Sequence, residues 1–518
     1  MLMKKKNLLS GLSLVLAVGS VIGCSNKAET GDSGKTAQPA KPPVVKVTLG
    51  TRGLPYVEGS PNINEDKFVR KLRELSKTDV KFELIPHQEF NKKLTLLLAA
   101  GDLPDLLQIN GVNSPEVAPA VNNGAFYELN DLIDKYGPNL KKNISQTTWD
   151  SPMVSNNGKI YAIPLENYIR NTQVVYVRND WLQKLNLKTP KTIDEYVDML
   201  KAFKEKDPNG NGKADEIPFS GRQNFAFSEV FFAAYDAIPG GWKYENNQLI
   251  PNFIRPQMKQ ALELHRKLYQ EQLMDNEIFV QQGKDWDAKI KGAARVGMFV
   301  HDPGYPDKWR SEVKQGDSNA DVINIPAPTG PDGKGGLMIG SPVNMAWSIP
   351  KSNKHPEEAI KFLNWFYSDE AQKFLDYGLE GEDYTLDNGK VNYKYPTNPD
   401  EINRENMHLM FLRLVGPSYL ANESFMKGRK DGDIIANAIQ IAKSEGRQDD
   451  GVDMPIPPTL QSKPELGKNG LWMETAAKIM TGKEPIDSFD KFVEDWKKRG
   501  GDQIIKEATE WYNAKNKK

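Results

Sequence analysis

Cysteine is nearly missing from this chain: Cys24 is the single one in 518 residues. That excludes an intramolecular disulfide framework, a Cys-ligated zinc site and an iron–sulfur cluster. Histidine is scarce too. His87, His265, His301, His355 and His408 stand far apart, with no HExxH motif and no paired spacing for a metal. Neither sign of charge is in excess, since 68 Lys+Arg face 69 Asp+Glu. Without a broad basic field, nucleic acid is not an expected partner. There is no GxSxG and no glycine-rich nucleotide loop; Gly34-Lys35-Thr36 lacks the upstream glycine of a P-loop, because Glu29 stands there. No segment repeats itself, which argues against a solenoid. The apolar run over residues 8–22 is broken by Gly and Ser. It is shorter than the roughly 20 apolar residues a membrane helix needs.

What is present points to a large secreted-type body. The length suggests two or three domains or one two-lobed unit. With 38% apolar and 26% charged residues, a sizeable core is expected and global disorder is not. At the front, Lys4, Lys5 and Lys6 precede the apolar run, which ends in Val21-Ile22-Gly23-Cys24. That tetrapeptide resembles the bacterial lipobox, which implies that residues 1–23 are a lipoprotein signal peptide. Cys24 would then be lipidated (palmitate-type acylation) and begin the mature chain. Several acyl chains, each CH₂ contributing about 0.8 kcal/mol, would hold it at the extracytoplasmic face of a Gram-positive-type cell membrane. The competing reading is a buried cysteine in an anchor helix. Residues 24–43 then read as the lipidated Cys and a flexible linker, because 25–43 carry no large apolar side chain.

Order begins with the alternating run Val44-Val45-Lys46-Val47-Thr48-Leu49. The periodicity predicts a helix over 65–76, a strand over 80–85, a helix over 90–100 stopped by Gly101, and a strand over 105–109. The pattern restarts after Pro164 with a strand over 172–177. Thr192 and Glu195 form a capping box, in which each side chain satisfies the other's backbone N–H. Later strands are expected over 295–300 and 322–325, and one long helix over 356–376. Helices follow at 489–498 and 503–512. Alternating strands and helices imply an α/β protein with mostly parallel sheets flanked by helices and a helix-rich C-terminal part.

Five stretches in order along the chain resemble the extracellular solute-binding proteins of ABC importers, family 1. They are Ala99-Ala100-Gly101-Asp102-Leu103-Pro104-Asp105, Gly158-Lys159-Ile160-Tyr161-Ala162-Ile163-Pro164, Arg178-Asn179-Asp180-Trp181-Leu182, His355-Pro356-Glu357-Glu358-Ala359-Ile360-Lys361-Phe362-Leu363 and Gly378-Leu379-Glu380-Gly381-Glu382-Asp383-Tyr384-Thr385. The subgroup they resemble most is the one with alginate-oligosaccharide-binding proteins. The resemblance implies a two-lobed periplasmic-binding-protein-like fold of class II type. By that analogy the chain crosses between lobes near Pro164, Pro303 and Trp365. Lobe 1 would hold 44–163 plus 303–365, and lobe 2 would hold 164–302 plus 366–518. It further implies a non-enzymatic protein, expected to be a monomer, that captures an oligosaccharide and delivers it to the permease subunits of an ABC transporter.

The sharpest local pattern is Asp207-Pro208-Asn209-Gly210-Asn211-Gly212-Lys213-Ala214-Asp215-Glu216. Side-chain oxygens stand at positions 1, 3, 5 and 9 of an EF-hand-type loop. Gly212 occupies the sharp turn, and Lys213 offers its backbone carbonyl. Pro218 replaces the usual bidentate Glu at position 12, so Glu216 must complete the shell. The alginate-binding relatives share this departure and bind Ca²⁺, which implies a structural Ca²⁺ here. The competing reading is a polar Asn-Gly turn without metal.

Sugars present apolar C–H faces and a rim of hydroxyls, which aromatic rings and polar side chains match. Candidates at the expected cleft are Arg52 and Tyr56 after the first strand, and Glu166, Asn167 and Tyr168 after Pro164. His301 and Asp302 at the end of the 295–300 strand, with Asn344 and Trp347 before Ser348, complete the set. Each competes with a purely structural role. Where the alginate binders show His-Asp-Trp, this chain has His301-Asp302-Pro303, and their Phe-Trp pair is replaced near Leu414-Val415-Gly416-Pro417. That implies a different glycan. An acidic sugar would call for arginine, and Arg52, Arg170 and Arg413 are open choices. Two rival functions stay open: a surface lipoprotein for a peptide or other non-sugar ligand, and a secreted glycan-active enzyme using two carboxylates.

Overall fold

The computed structural model describes residues 44–516. The signal peptide, Cys24 and the linker expected from the sequence lie outside them. Nine strands build the two larger sheets. They are β1 (Val44–Gly50), β2 (Asp79–Ile85), β3 (Leu106–Ile109), β4 (Ile163–Glu166), β5 (Val174–Arg178), β6 (Ile217–Phe219), β7 (Val296–His301), β8 (Val322–Ile325) and β9 (Val343–Ser348). The first sheet has the order β2-β1-β3-β9-β4, the second β8-β5-β7-β6.

Local chemistry accounts for the elements. β1 aligns in parallel with β2 from Val44 opposite Asp79 to Gly50 opposite Ile85. Parallel neighbours need a long crossover, here the helix Lys67–Ser76. Asp66 caps it by accepting from the Phe68 N–H, and it buries Phe68, Val69 and Leu72. The next crossover helix, Phe90–Ala100, ends at Gly101, whose φ of 72° only glycine adopts at little cost. The capping box forms as the sequence predicts: Thr192 and Glu195 cap the helix Ile193–Glu205 reciprocally.

The expected parallel pairing holds for β2-β1-β3 and for β6 with β7. The other pairings are antiparallel: β9 with β3 and β4, and β5 with β7 and β8. β5 and β9 are the two strands that arrive directly from the other sheet. They have no helical crossover within their own sheet and run against both neighbours.

Two separate cores follow from this. One gathers Val47, Leu49, Phe68, Ile109, Trp347 and Phe366; the other gathers Val175, Val177, Trp181, Phe203, Phe231 and Trp496. The second sheet is covered on both faces. Val175 and Val177 face that second core, while Val174 and Tyr176 pack with Phe299 and Trp309 on the reverse side. A strand buried on both sides reads as the uninterrupted apolar run seen at 174–177.

Sheet and core membership divide the chain differently from the expected lobes. The first crossing lies between β4 and β5, after Pro164, which still pairs with Ala346 inside the first sheet. Residues after Pro303 stay with the second sheet, because the helix Pro306–Val313 packs Trp309 and Val313 against it and β8 pairs with β5. The return crossing comes later, between β8 and β9. Nor does the chain leave at Trp365. The expected helix over 356–376 breaks into Pro356–Trp365 and Asp369–Tyr377, where the Ser368 side chain caps the second by accepting from Ala371. Phe374, Leu375, Met407, Phe411 and Val415 still belong to the first core. The helix Gly432–Ser444 returns to the second sheet through Ala438, Ile441 and Ala442. The helices Ser488–Trp496 and Asp502–Asn516 close the chain in the second core, through Phe489, Phe492, Trp496, Ile504 and Ile505. No helix among the described residues is long and apolar enough to cross a membrane.

Candidate functional site

Between the two sheets lies a cavity of about 280 Å³ whose wall comes from five distant stretches: Arg52, residues 165–172, residues 302–305, Asn344 and residues 409–420. Six of the nine sequence candidates meet there: Arg52, Glu166, Asn167, Tyr168, Asp302 and Asn344.

Each is held by its neighbours. Arg52 follows β1 in a left-handed conformation with φ of 56°. Its Nη1 donates to the Met410 carbonyl at 2.6 Å, and its Nη2 to the Met345 Sδ at 3.2 Å and the Arg413 carbonyl at 3.5 Å. Burial lowers its pKa to about 10. Glu166, the last residue of β4, accepts at Oε1 from the Thr148 hydroxyl at 2.6 Å and the Ser145 N–H at 3.2 Å. Asn344 sits where the β9–β4 register shifts between Val343 and Met345. Such an irregularity re-aims a side chain, and Asn344 is exposed. Its Nδ2 donates to Asn167 Oδ1 at 2.9 Å, and Asn167 Nδ2 donates to the Ser341 carbonyl at 3.0 Å. The amide pair thus ties the two crossing segments together. Tyr168 carries the Lys443 ammonium 3.5 Å above its ring. Across the cavity, Asp302 Oδ1 accepts from the Gly304 N–H at 2.6 Å, and burial raises its pKa.

Three candidates lie elsewhere. Trp347 is fully buried in the first core and donates its indole N–H to the Leu414 carbonyl at 2.7 Å, so it holds the sheet and does not line the cavity between the sheets. Tyr56 faces an outer groove beside Asp400 and Arg404, with its hydroxyl donating to Asp66 Oδ2 at 3.0 Å. His301 is absorbed into an aromatic cluster, stacked on Phe227 at 4.9 Å and edge-on to Trp309 at 4.8 Å. Burial, aided by the Arg222 charge, pushes its pKa down to about 4.

The cavity also holds Arg413, one of the three arginines open for an acidic sugar, and three residues that no sequence pattern singled out, Tyr305, Ser418 and Tyr419. Tyr305 is 40% exposed, unusual for a ring so close to a core. It comes three residues after Asp302, and extending the expected strand-end loop would have reached it. Tyr419 has no such local signal: a 3₁₀ turn distant in sequence brings it in.

The 207–216 loop folds on itself. Asp207 Oδ1 accepts from the Gly210 and Asn211 N–H groups at 2.9 and 3.1 Å, and its Oδ2 from Gly212 at 3.1 Å. Asn209 Oδ1 accepts from the Asn211 N–H at 2.9 Å, and Asn211 Oδ1 from the Lys213 N–H at 2.8 Å. Asp215 takes both amide side chains, at 3.1 and 3.0 Å. Gly212 has φ of 74°, as the sharp turn requires. Both Glu216 carboxylate oxygens are shielded from solvent with no hydrogen-bond partner. Burial, together with the nearby Asp207 and Asp215 charges, raises the Glu216 pKa. A cation among these oxygens would relieve that strain, so the donor set fits a hard, oxygen-seeking metal. The acids alone do not converge: among the described residues no three His, Cys, Asp or Glu side chains form a metal-holding group. Amide and backbone oxygens would have to supply the rest.

Residues 65–373 match the family described as bacterial extracellular solute-binding protein. The chain is 26% identical over 511 residues to the polygalacturonan/rhamnogalacturonan-binding protein YtcQ of Bacillus subtilis (strain 168), covering 96% of this chain and 97% of the relative. Among solved structures, it is similar to the alginate-binding protein AlgQ2 without calcium ion, with a TM-score of 0.65 and 22% identity over 92% of this chain and 98% of that one. It is likewise similar to an EF-hand mutant of the ABC-transporter substrate-binding protein FusA of S. pneumoniae in complex with fructo-nystose. There the TM-score is 0.63 and the identity 21%, over 91% of this chain and 99% of that one.

Proposed function

The chain belongs to the bacterial extracellular solute-binding proteins, and from that membership we propose that it captures an oligosaccharide in the cavity between its two sheets and hands it, unaltered, to the permease of an ABC importer. The observation that carries the reading is the wall itself. Hydrogen-bonding side chains from both sheets (Arg52, Glu166, Asn344, Asp302) meet tyrosine rings there (Tyr168, Tyr305, Tyr419). Hydroxyl-rich ligands with apolar faces need that combination. Because the wall is divided between two bodies joined by crossing segments, ligand binding would favour a closed arrangement over an open one, which a transporter can distinguish.

The reading extends to three further points. Cys24 is the lipid attachment site that moors the protein outside the membrane. The 207–216 loop holds a structural Ca²⁺ through Asp207, Asn209, Asn211, the Lys213 carbonyl, Asp215 and Glu216, which fixes the loop against the second sheet. The first lobe comprises the first sheet with the segment from β9 to about residue 428, and the second lobe comprises the remainder.

A ligand that binds only the native state stabilises it by RT ln(1 + [L]/Kd), about 2.7 kcal/mol at a hundredfold excess over Kd. Melting of the purified protein across a panel of oligosaccharides of defined linkage should therefore rise for one structural class. The same glycan should be recovered uncleaved. No shift with any glycan, or turnover of one, would refute the proposal.

A further inference from the structure

A second cavity opens on the same edge of the second sheet as the first. β6 runs parallel to β7, so the loops that follow the two strands leave from one edge, the edge at which ligands of such sheets bind. Residues 302–305, after β7, line the cavity between the sheets. The segment after β6 builds a pocket of about 380 Å³ with Gln223, Asn224 and Glu229, completed by Gln282, Lys468 and Asn469 from two later stretches. Burial raises the Glu229 pKa, and the Lys468 charge is among the influences opposing it, yet the two form no ion pair among the described residues. The side chains of Gln223, Asn224, Gln282 and Lys468 make no hydrogen bond among the described residues, so their donors and acceptors are open to a ligand.

A row of rings joins the two cavities. His301, next to Asp302 on the first wall, stacks on Phe227 at 4.9 Å. The Arg222 guanidinium lies 4.9 Å from the Phe227 ring and 4.5 Å from the Trp286 ring, and Arg222 lines the second pocket. Its Nη2 donates to Asp287 Oδ1 at 3.4 Å, while its Nε is shielded and has no acceptor. The backbone of this segment is forced. Asn224, Phe225 and Phe227 have φ of 59°, 59° and 58°, a region that bulky side chains rarely enter. The turn sends Phe225 into the second core, against Phe232 and Trp472, and sends Phe227 to His301. Gln281 holds the shape: its Nε2 donates to the Gly221 carbonyl at 2.6 Å, and its own carbonyl accepts from the Gln223 N–H at 2.9 Å. Strain of this kind persists only where the surroundings impose it, and it gathers at binding surfaces.

We infer that this pocket is a distal subsite of the glycan cleft: the ligand runs from the cavity between the sheets past the His301 and Phe227 rings, and a further sugar unit lies among Gln223, Glu229, Gln282 and Lys468. The inference rests on the oligosaccharide reading above and adds the chain length that the site serves. At about 280 Å³ the first cavity falls short of the roughly 300–1,000 Å³ usual for small-molecule pockets. The second pocket gives a longer chain its room. Its chemistry suits hydroxyl groups, which both donate and accept. They can donate to Glu229 or an amide oxygen and accept from Lys468 or an amide N–H.

Titration calorimetry with oligosaccharides of graded length tests this. The probes are xylo-, galacto-, arabino-, galacturono- and fructo-oligosaccharides, each series running from dimer to hexamer. The expected result is that affinity in one series rises at least about tenfold between its shortest binding member and the member that reaches the second pocket, the effect of one or two net hydrogen bonds. The double variant Gln223→Ala with Lys468→Ala, at two exposed positions, should flatten that series. Affinity that stays level with length in every series that binds, or a rise that survives in the double variant, would overturn the inference and leave the oligosaccharide reading standing. Absence of binding to every member of every series would overturn both. The length series uses the unaltered protein, so a level series decides against the subsite whatever the variant does.

Discussion

Two regions of this molecule leave polar atoms of charged side chains shielded and without a hydrogen-bond partner, one on an acid and one on a base. In the 207–216 loop both Glu216 carboxylate oxygens lack a hydrogen-bond partner; on the cavity wall only the Arg52 Nε lacks one, while its Nη atoms donate to the Met410 and Arg413 carbonyls. The loop assembles its charge from ten consecutive residues, and a cation is the natural complement. The cleft assembles its wall from segments up to 368 positions apart, Arg52 to Leu420. Glu445 shows what happens with no external partner. This carboxylate accepts only the Ala327 N–H, and burial raises its pKa to about 7, so it copes by taking up a proton. In all three groups burial moves the pKa toward the neutral form: down for Arg52, up for Glu216 and Glu445.

The largest effect should come from the residue that looks like a ligand contact and is not. Trp347→Ala should cost about 3–5 kcal/mol in urea denaturation, because it empties the first core and orphans the Leu414 carbonyl. If the variant instead kept its stability and lost glycan binding, the placement of Trp347 would be wrong. Next comes metal removal. A site filled at a thousandfold excess over Kd contributes about 4 kcal/mol. EDTA should therefore lower the melting temperature, and Asp207→Ala should abolish that sensitivity. An unchanged melt after verified metal removal would take calcium out of the loop and leave Glu216 as a framework acid like Glu445.

Glu445 itself gives a pH test. Its folded pKa of about 7 lies above the ordinary value of 4.5. Its contribution is therefore fully present below about pH 4.5 and is lost as pH rises through 7. At about 1.4 kcal/mol per pH unit, the loss across that span is on the order of 3–4 kcal/mol. Glu445→Gln should flatten the stability profile across that window, and a variant with the wild-type slope would contradict the assignment. The smallest effect is expected at Tyr305→Ala. Removing an exposed ring should leave the melt unchanged and weaken glycan binding by about 1 kcal/mol. A loss of stability with intact affinity would assign Tyr305 to the framework.

Much of the architecture could be read locally. The strands at Val44–Gly50 and Val322–Ile325, the helix Phe90–Ala100 with its glycine stop, and the Thr192–Glu195 capping box each depend on neighbours within a few residues. Their periodicity or cap is visible without tertiary context. The turn at Pro303 and the helix around Trp365 were misleading for a related reason. Both carry a real local break, at Pro303 and at Ser368, but a break in the chain does not say whether the next element changes sheets. Trp347, His301 and Tyr56 showed the same gap at the level of side chains. The sequence places each near the end of a strand or the loop after it, yet the side each ring faces depends on what packs against it.

Residue order by itself determined the family resemblance, the alternation of strand and helix, and the oxygen spacing of the 207–216 loop, because these depend on short-range periodicity and on donors a few positions apart. Tertiary structure alone decided which arginines and tyrosines reach the cavity, and where the chain passes between sheets. Burial and electrostatic pairing are set by groups hundreds of residues away, and they acquire values only once the two cores have closed around them.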